Sequence, residues 1–233
     1  MSSGSVIRPH LFAPLAVLLT LVFLLPPAAS VAEAGDWKIR FRAITVSPDE
    51  ESSAVRTNGV EVPGTSVSVD DDTVPELDIT YMLTRNLGVE LVLGTSEHNV
   101  SGEGGLAGLG EIVEAGVLPP TLVLQWHFAP DSAFSPYLGV GVNYTLFYDE
   151  ESSSSLNSFA GGVSSVELDS SVGLAVQLGF DVNVGQKWFF NIDAKRIDLE
   201  TEATIRTNGA LGTLTVDVDL QPYVFGAGFG FRF

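Results

Sequence analysis

The chain ends in the segment YVFGAGFGFRF, residues 223–233, which alternates between large apolar and small or polar side chains. The odd positions from Tyr223 to Phe233 are aromatic apart from Ala227, whereas glycine and Arg232 occupy most of the even positions. A period of two is typical of a β-strand whose two faces meet different surroundings. The segment therefore predicts a strand with one broad apolar face and one small, polar face.

Seven further segments alternate in the same way. In the second of them, Leu77, Ile79 and Tyr81 are separated by Asp78 and Thr80. Strands of roughly 10 residues, tilted in the membrane, are long enough to cross it. The eight segments cover residues 37–43, 76–83, 88–94, 121–128, 138–146, 171–183, 188–195 and 223–233.

The connections between these segments alternate in length. Short ones lie at 84–86, 129–134 and 185–187, and long ones at about 47–75, 95–118, 148–170 and 199–212. An even number of strands with short turns on one side is the pattern of outer-membrane barrels. The sequence predicts an all-β fold, an eight-stranded antiparallel transmembrane β-barrel with short periplasmic turns and long extracellular loops.

A soluble barrel of the lipocalin type is the alternative, since it also has eight antiparallel strands. Its apolar face would point inward and leave Gly139, Gly141 and Gly228 outside, although glycine suits a crowded interior better. Aromatic residues also gather at the strand ends, as in the girdles of membrane barrels. These residues are Trp37, Trp126, Phe128, Tyr137, Trp188, Phe231 and Phe233.

The overall composition combines strong acidity with high hydrophobicity. There are 29 Asp and Glu against 11 Lys and Arg, a net charge of −18, yet 45% of the residues are hydrophobic and none is cysteine. These values exclude an acidic disordered chain, a disulfide scaffold and a cysteine zinc site. A negative chain is also a poor match for nucleic acid, because phosphate contacts need basic residues.

Residues 1–34 have the layout of a cleaved secretory signal. Arg8 and His10 precede an apolar run, and small residues at 32 and 34 allow cleavage after Ala34, with cleavage after Ala32 as the alternative. A transmembrane helix is the competing interpretation, but the run is short and bracketed by prolines. The mature barrel domain is predicted to cover residues 35–233.

Two segments point to a known family. They are LPPTL, residues 118–122, and SPYLGVGVNYT, residues 135–145; ITYMLTRN at 79–86 and KWFFNID at 187–193 add to them. Together with the closing aromatics they resemble the OmpW family of small outer-membrane barrels, which is related to the AlkL-type uptake proteins. The likeness extends in order over nearly the whole mature chain, and the acidic loops depart from it.

The resemblance implies a narrow barrel in the outer membrane of a Gram-negative bacterium. It also implies passive passage of small hydrophobic molecules, with an exit that opens sideways into the membrane. The expected partners are a small hydrophobic solute, membrane lipids and, during biogenesis, the barrel-assembly machinery, which would recognise Phe229, Phe231 and Phe233. No cofactor or catalytic residue is implied. The alternative is a structural or surface-interaction barrel whose acidic loops bind cations, lipopolysaccharide or an external partner.

The alternation places five basic and five acidic side chains inside the barrel. An eight-stranded lumen is only wide enough for side chains to fill. Because an unpaired buried charge is costly, we predict a salt-bridged plug; a charged lining that selects ions is the alternative. The residues are Lys38, Arg40, Arg42, Glu76, Asp78, Glu90, Asp181, Asp193, Lys195 and Arg232.

Most other acidic residues fall in the long connections, so the net charge is expected to face outward. A solvated surface or adaptation to salt is one interpretation. The other is bridging to lipopolysaccharide through divalent cations, for which carboxylates are suitable ligands.

Apolar residues in the second long connection recur at roughly helical spacing, from Leu106 and Leu109 to Ile112, Val113 and Val117. They predict a short helix that either caps the outer mouth or packs within its own loop. Candidate residues lining a hydrophobic passage are Leu106, Leu109, Val117 and Phe147.

Prolines predict where the wall of the barrel is weak, since proline cannot donate to a strand ladder. Pro119, Pro120 and Pro222 are the candidates for a lateral seam. The apolar positions also change from even to odd between Leu220 and Tyr223, which predicts a bulge at Gln221 and Pro222 that turns the side chains over.

Enzymatic activity is not expected. Catalytic outer-membrane barrels need a constellation of His, Ser or acidic residues near the outer rim. His98, with Ser96, Glu97 and Ser101 nearby in sequence, is the one candidate, and a histidine beside serines in a loop is usually only part of a polar loop.

Overall fold

The computed structural model describes residues 33–162 and 164–233. Residues 1–32, which hold most of the predicted signal peptide, lie outside the described residues. In the described part of the chain the strands are β1 (Trp37–Ser47), β2 (Glu51–Ser52), β3 (Arg56–Thr57), β4 (Val60–Glu61), β5 (Thr65–Val69), β6 (Asp72–Met82), β7 (Leu87–Gly94), β8 (Ser96–Gly104), β9 (Glu111–Leu118), β10 (Thr121–His127), β11 (Phe134–Ser152), β12 (Ser164–Leu168), β13 (Ser171–Val184), β14 (Trp188–Ile197), β15 (Glu200–Thr207), β16 (Thr213–Asp219) and β17 (Tyr223–Arg232).

Eight of these strands close into an antiparallel barrel, as predicted. The order is β10-β7-β6-β1-β17-β14-β13-β11, and pairing of β11 with β10 completes the ring. First and last strands meet in a long register, from Lys38 opposite Arg232 to Ser47 opposite Tyr223. Closure leaves no sheet edge, which is the condition for strands to lie in lipid.

The faces of these strands are those that the alternation predicts. Phe41 and Phe229 are 67% and 63% exposed and point to the lipid, whereas Lys38 and Arg40 are buried in the lumen. Aromatic pairs lie at the lower rim, with Trp37 and Tyr81 at 4.9 Å between ring centroids. Tyr137 was wrongly assigned to the girdle: it is fully buried in the lumen, because it has the inward parity of β11.

The four long connections are not simple loops, since most of their residues extend the barrel outward as strands. In this outer extension, β5, β8 and β9 continue along the outer end of β11, while β12, β15, β16, β3 and β4 form a second sheet with β2 beside β16. Its inward side chains make an apolar core. That core includes Val67, Ile112, Val113, Leu156, Ala203, Ile205, Leu214, Val216 and Val218.

The prediction of a helix in the second long connection is wrong. Only a 3₁₀ turn at Ala107–Leu109 is present, and Val117 lies in β9. The register of β8 with β9 shifts at Val100, so that Ile112 and Val113 are both buried. A bulge of this kind breaks the period of two and imitates helical spacing. A short helix, α1 (Ser154–Ala160), lies instead in the third connection, capped by Ser153, whose side chain accepts a hydrogen bond from Leu156.

The chain does break at the predicted place between β16 and β17, where Gln221 has a φ of 27°. The side chains do not turn over, however. Val216 and Val218 before the break and Val224 after it are all buried, so even positions face inward throughout. What changes is the environment of the two faces. Below the break the apolar side chains are at odd positions and face lipid, and above it they are at even positions and face the interior.

None of the helices among the described residues has the length and apolar run needed to span a membrane.

We expect Gly230→Val to lower the free energy of unfolding by about 1–3 kcal/mol, because overpacking an interior costs this much. A Cβ atom at Gly230 would collide with the ring of Phe189 in the lumen. Urea unfolding in lipid vesicles, followed by tryptophan fluorescence, measures the change.

The matched control is Ala227→Val, on the lipid face of the same strand, which should shift the free energy of unfolding by no more than about 0.5 kcal/mol. An equal loss in both variants would contradict the inward placement of Gly230.

Candidate functional site

Paired charges fill the lower half of the lumen, and we call this group of residues the lumen plug. Arg42 is at its centre: Nε lies 2.7 Å from Asp78 Oδ2, Nη1 lies 2.5 Å from Asp193 Oδ2, and Nη2 pairs with Glu76. All four side chains are buried. One cation from β1 is therefore surrounded by carboxylates from β6 and β14.

A second group of ion pairs lies toward the lower end of the barrel. Arg40 pairs with Glu90 of β7 and, through Nη2, lies 3.4 Å from Asp181 Oδ2. Gln177, which donates to Glu90 and to Asp193, joins this group to the one around Arg42. Arg232 is buried below, 3.5 Å from Asn183 Oδ1. The other pairs are Lys38–Asp181 at 3.0 Å, Lys195–Glu76 at 3.1 Å and Lys195–Asp193 at 3.4 Å.

Neutral side chains that the sequence reasoning missed complete the plug. Gln125 and Gln177 donate to Glu90 at 2.7 and 3.0 Å, and Gln177 also donates to Asp193 at 2.7 Å. The rings of Tyr137 and Phe189 lie 5.5 Å from the Arg40 guanidinium. These residues have the inward parity of their strands, so the alternation already contained the signal. The lower lumen is filled and its charges are paired.

An apolar cavity of about 120 Å³ lies above the lumen plug. Glu76 and Lys195, already paired with each other, form its floor. The walls are almost entirely aliphatic or aromatic, and predicted lining residues Val117 and Phe147 are among them. Other wall residues are Ile44, Val92, Ala115, Ile197, Leu199 and Val224.

A second apolar space of about 180 Å³ continues upward through the outer extension. Predicted lining residues Leu106 and Leu109 lie on its wall. At its outer end Val62 and Phe159 are 39% and 53% exposed, which gives the mouth an apolar rim. The two spaces adjoin, because they share the wall residues Val67, Ile112, Ala203, Ile205 and Val216.

The ladder between the third and fourth barrel strands is interrupted beside the lower cavity. Pairing of β7 with β10 reaches Val92 opposite Thr121, and pairing of β8 with β9 resumes at Ser96 opposite Val117. Residues 93–95 and 118–120 lie between, and we call this place the ladder gap. Pro119 and Pro120 have no N–H to donate there, and Thr95 and Pro119 line the cavity.

The third predicted seam residue, Pro222, lies between β16 and β17, where the chain break is bridged by backbone hydrogen bonds to neighbouring strands. Its carbonyl accepts from Ile197 N at 3.2 Å, and Leu220 bonds to Leu199 at 2.8 Å and to Asp49 at 2.9 Å. The wall is therefore tied on both sides of Pro222. Among the predicted seam prolines, Pro119 and Pro120 are the ones at an interrupted ladder.

The acidic residues of the long connections lie on the surface of the outer extension. Few bases pair with them, among them Arg56 with Asp217 at 2.8 Å. A hydrogen bond to Glu97 raises the pKa of Glu114, because that bond requires one of the two carboxyls to be protonated. Within the described ranges, no group of three or more His, Asp or Glu side chains is arranged to hold a metal ion.

Comparisons with known proteins agree with this architecture. A model of the OmpW family matches residues 33–233. The uncharacterized outer-membrane protein y4mB of Sinorhizobium fredii is 39% identical over 89% of this chain and 86% of its own. The crystal structure of the outer membrane protein OprG from Pseudomonas aeruginosa has a TM-score of 0.82 at 38% identity, covering 88% of this chain and 98% of that one. The solid-state NMR structure of outer membrane protein AlkL in DMPC bilayers has a TM-score of 0.67 at 27% identity, covering 90% and 95%.

We expect Arg42→Met to lower the free energy of unfolding by about 3–5 kcal/mol, since it leaves buried carboxylates without their cation. Urea unfolding in vesicles is the measurement. Arg85→Met is the control, because Arg85 pairs with Asp131 on the exposed lower surface, where ion pairs contribute about 1 kcal/mol or less. Equal effects of the two substitutions would contradict a buried, interdependent plug.

Proposed function

The chain belongs to the OmpW family and is an outer-membrane β-barrel of a Gram-negative bacterium, and from this premise we propose that it passes small hydrophobic molecules from the exterior into the membrane. The passage is passive and its exit is lateral. The observation that carries the proposal is the course of the apolar cavity, which is closed below by the lumen plug and meets the ladder gap at its side.

The outer end of the passage suits the capture of an apolar solute. Val62 and Phe159 expose apolar surface at the rim, and the core below them adjoins the cavity. Moving an alkyl chain from water to such a wall contributes about 0.8 kcal/mol per methylene group. A solute can thus leave water at the mouth without crossing the hydrated surface of the membrane.

The inner end of the passage argues against release into the periplasm. Below Glu76 and Lys195 the solute would have to displace buried ion pairs, and breaking such a pair costs several kcal/mol. The ladder gap lies beside the cavity and opens toward lipid, which is as apolar as the wall. The side exit is therefore the route with the lower barrier.

The lining also separates this proposal from a purely structural or surface-interaction barrel. A barrel of that kind needs no apolar space inside its outer half, and its lumen could be polar along its whole length. Here the buried ion pairs stop at Glu76 and Lys195, and mostly apolar side chains take their place above. This change within one lumen favours a conduit.

Two partners belong to the proposal. Membrane lipid covers the exposed face of the barrel strands and accepts the solute at the ladder gap. The assembly machinery would recognise the closing aromatics, of which Phe229 is exposed on the lipid face and Phe231 stacks on Phe233 at 6.1 Å.

Uptake of a labelled alkane into vesicles that contain the pure protein should exceed uptake into protein-free vesicles. Ala115→Trp fills the cavity and should reduce the rate to the protein-free value, because Ala115 is buried on the cavity wall. Ala227→Trp, on the lipid face, serves as the control and should leave the rate unchanged. Equal rates with and without the protein would end the conduit proposal.

The exit is tested by restoring backbone donors at the ladder gap. We expect Pro119→Ala combined with Pro120→Ala to slow uptake several-fold, because a new N–H at residue 119 allows β7 and β10 to pair further upward, while residue 120 faces β11, where its carbonyl accepts from Tyr144 N. Pro222→Ala is the comparison and should have no effect, since bonds already cross the chain break there. Slower uptake in Pro222→Ala alone would place the exit at the other seam.

A further inference from the structure

Two polar side chains of β8 interrupt the apolar wall of the cavity. Ser96 and His98 both face inward and line it, and they are 7% and 6% exposed. His98 Nε2 lies 3.0 Å from Ser96 Oγ. Placing an imidazole and a hydroxyl in an apolar wall is unfavourable unless their hydrogen bonds are made. The polar atoms of both side chains are therefore expected to have hydrogen-bond partners.

The hydrogen bonds fix the direction of the donor groups. His98 Nδ1 lies 2.8 Å from the backbone oxygen of Asp70. A carbonyl oxygen only accepts, so in the neutral ring Nδ1 carries the hydrogen and Nε2 is the acceptor. In this neutral ring Nε2 receives the hydroxyl hydrogen of Ser96. The Ser96 oxygen has donated its only hydrogen and keeps lone pairs that can accept a bond from a solute.

Several other polar groups on the cavity wall are more fully used. Glu76 and Lys195 pair with each other at the floor. Thr121 donates to the Pro119 carbonyl at 3.0 Å and accepts from Asn143 at 2.9 Å. Ser96 differs because its one hydrogen-bond partner in the described structure is His98.

The position of the pair suits a solute on its way out. Ser96 follows directly on residues 93–95, which form one side of the ladder gap, and it stands opposite Val117 where pairing resumes. A molecule whose chain lies among Val92, Ala115 and Phe147 would have its end at this place.

We propose that Ser96, oriented by His98, binds the hydroxyl group of an amphiphile of the fatty-alcohol class while the alkyl chain occupies the apolar cavity. This inference rests on the proposed function and adds a substrate class to it. The subsite prefers solutes that donate a hydrogen bond over equally apolar solutes that only accept one, because the Ser96 hydrogen is held by His98.

We take the Ser96–His98 contact to be a binding group. A serine nucleophile also needs N–H donors aimed at the developing oxyanion. Ser96 and His98 lie opposite Val117 and Ala115 in regular strand pairing, where the backbone N–H groups serve the ladder.

The test compares 1-octanol with its isomer 1-methoxyheptane, which has the same formula but no O–H. Protein-dependent uptake into vesicles is measured against concentration, after subtraction of the protein-free rate. In Ser96→Ala the half-saturating concentration of 1-octanol should rise about five-fold, the usual value of one hydrogen bond. That of 1-methoxyheptane should stay the same.

Two variants control for general damage to the cavity. Ser96→Thr keeps the hydroxyl and should retain the preference for 1-octanol. Thr201→Val removes another hydroxyl from the cavity wall, one that donates to the Asp169 carbonyl at 2.8 Å, and it should shift neither solute.

The outcomes separate this inference from the proposed function. If Ser96→Ala shifts both solutes equally or neither, or if Thr201→Val has the same effect as Ser96→Ala, the subsite is not at Ser96. Protein-dependent uptake of 1-methoxyheptane would then still support the conduit. If neither solute depends on the protein, the conduit and the subsite are both refuted.

Discussion

Every part of this structure depends on the rule that backbone groups in lipid must find their hydrogen bonds within the protein. The rule forces the eight spanning strands to close, and β10 pairs with β11 to complete the ring. Closure at eight strands makes a lumen that side chains can fill. Large inward side chains then need small neighbours, as Phe189 has at Gly230, and inward charges need partners, as Arg42 has at Asp78.

The same strands continue beyond the membrane, and there the chemistry of their faces is reversed. Arg42 faces the lumen plug, while Ile44, two residues further along β1, is buried in the apolar cavity. Val216 of β16, in the outer extension, faces inward, as Val224 does at the start of β17. Phe225, the next residue of β17, faces lipid. The backbone keeps its parity across the boundary. The solvent outside the barrel changes from lipid to water, so the apolar side chains move to the other face.

The passage that we propose depends on this reversal. A lumen that is polar throughout would be a plug, and one that is apolar throughout would leave no barrier to a solute at its lower end. Here the apolar part ends on Glu76 and Lys195 at about the height where Pro119 and Pro120 interrupt the wall. In the proposed function, a solute held by the upper part would meet the closed floor and the interrupted ladder together, with the ladder gap as the weaker barrier.

The sequence by itself determined the eight strands, their order along the chain, the family and the inward charges, because a period of two reports that two faces differ. It does not show where along a strand the surroundings change from lipid to water, and so the outer extension of the strands is not apparent from it. The position of Tyr137 at a strand end suggests the girdle, although its parity is inward. The bulge at Ile112 and Val113 imitated a helix because one extra residue breaks the period. Only the tertiary structure decided which ladder is interrupted and that Ser96 and His98 bond to each other beside it. These features depend on register between strands, and register is a property of pairs of segments that no single segment encodes.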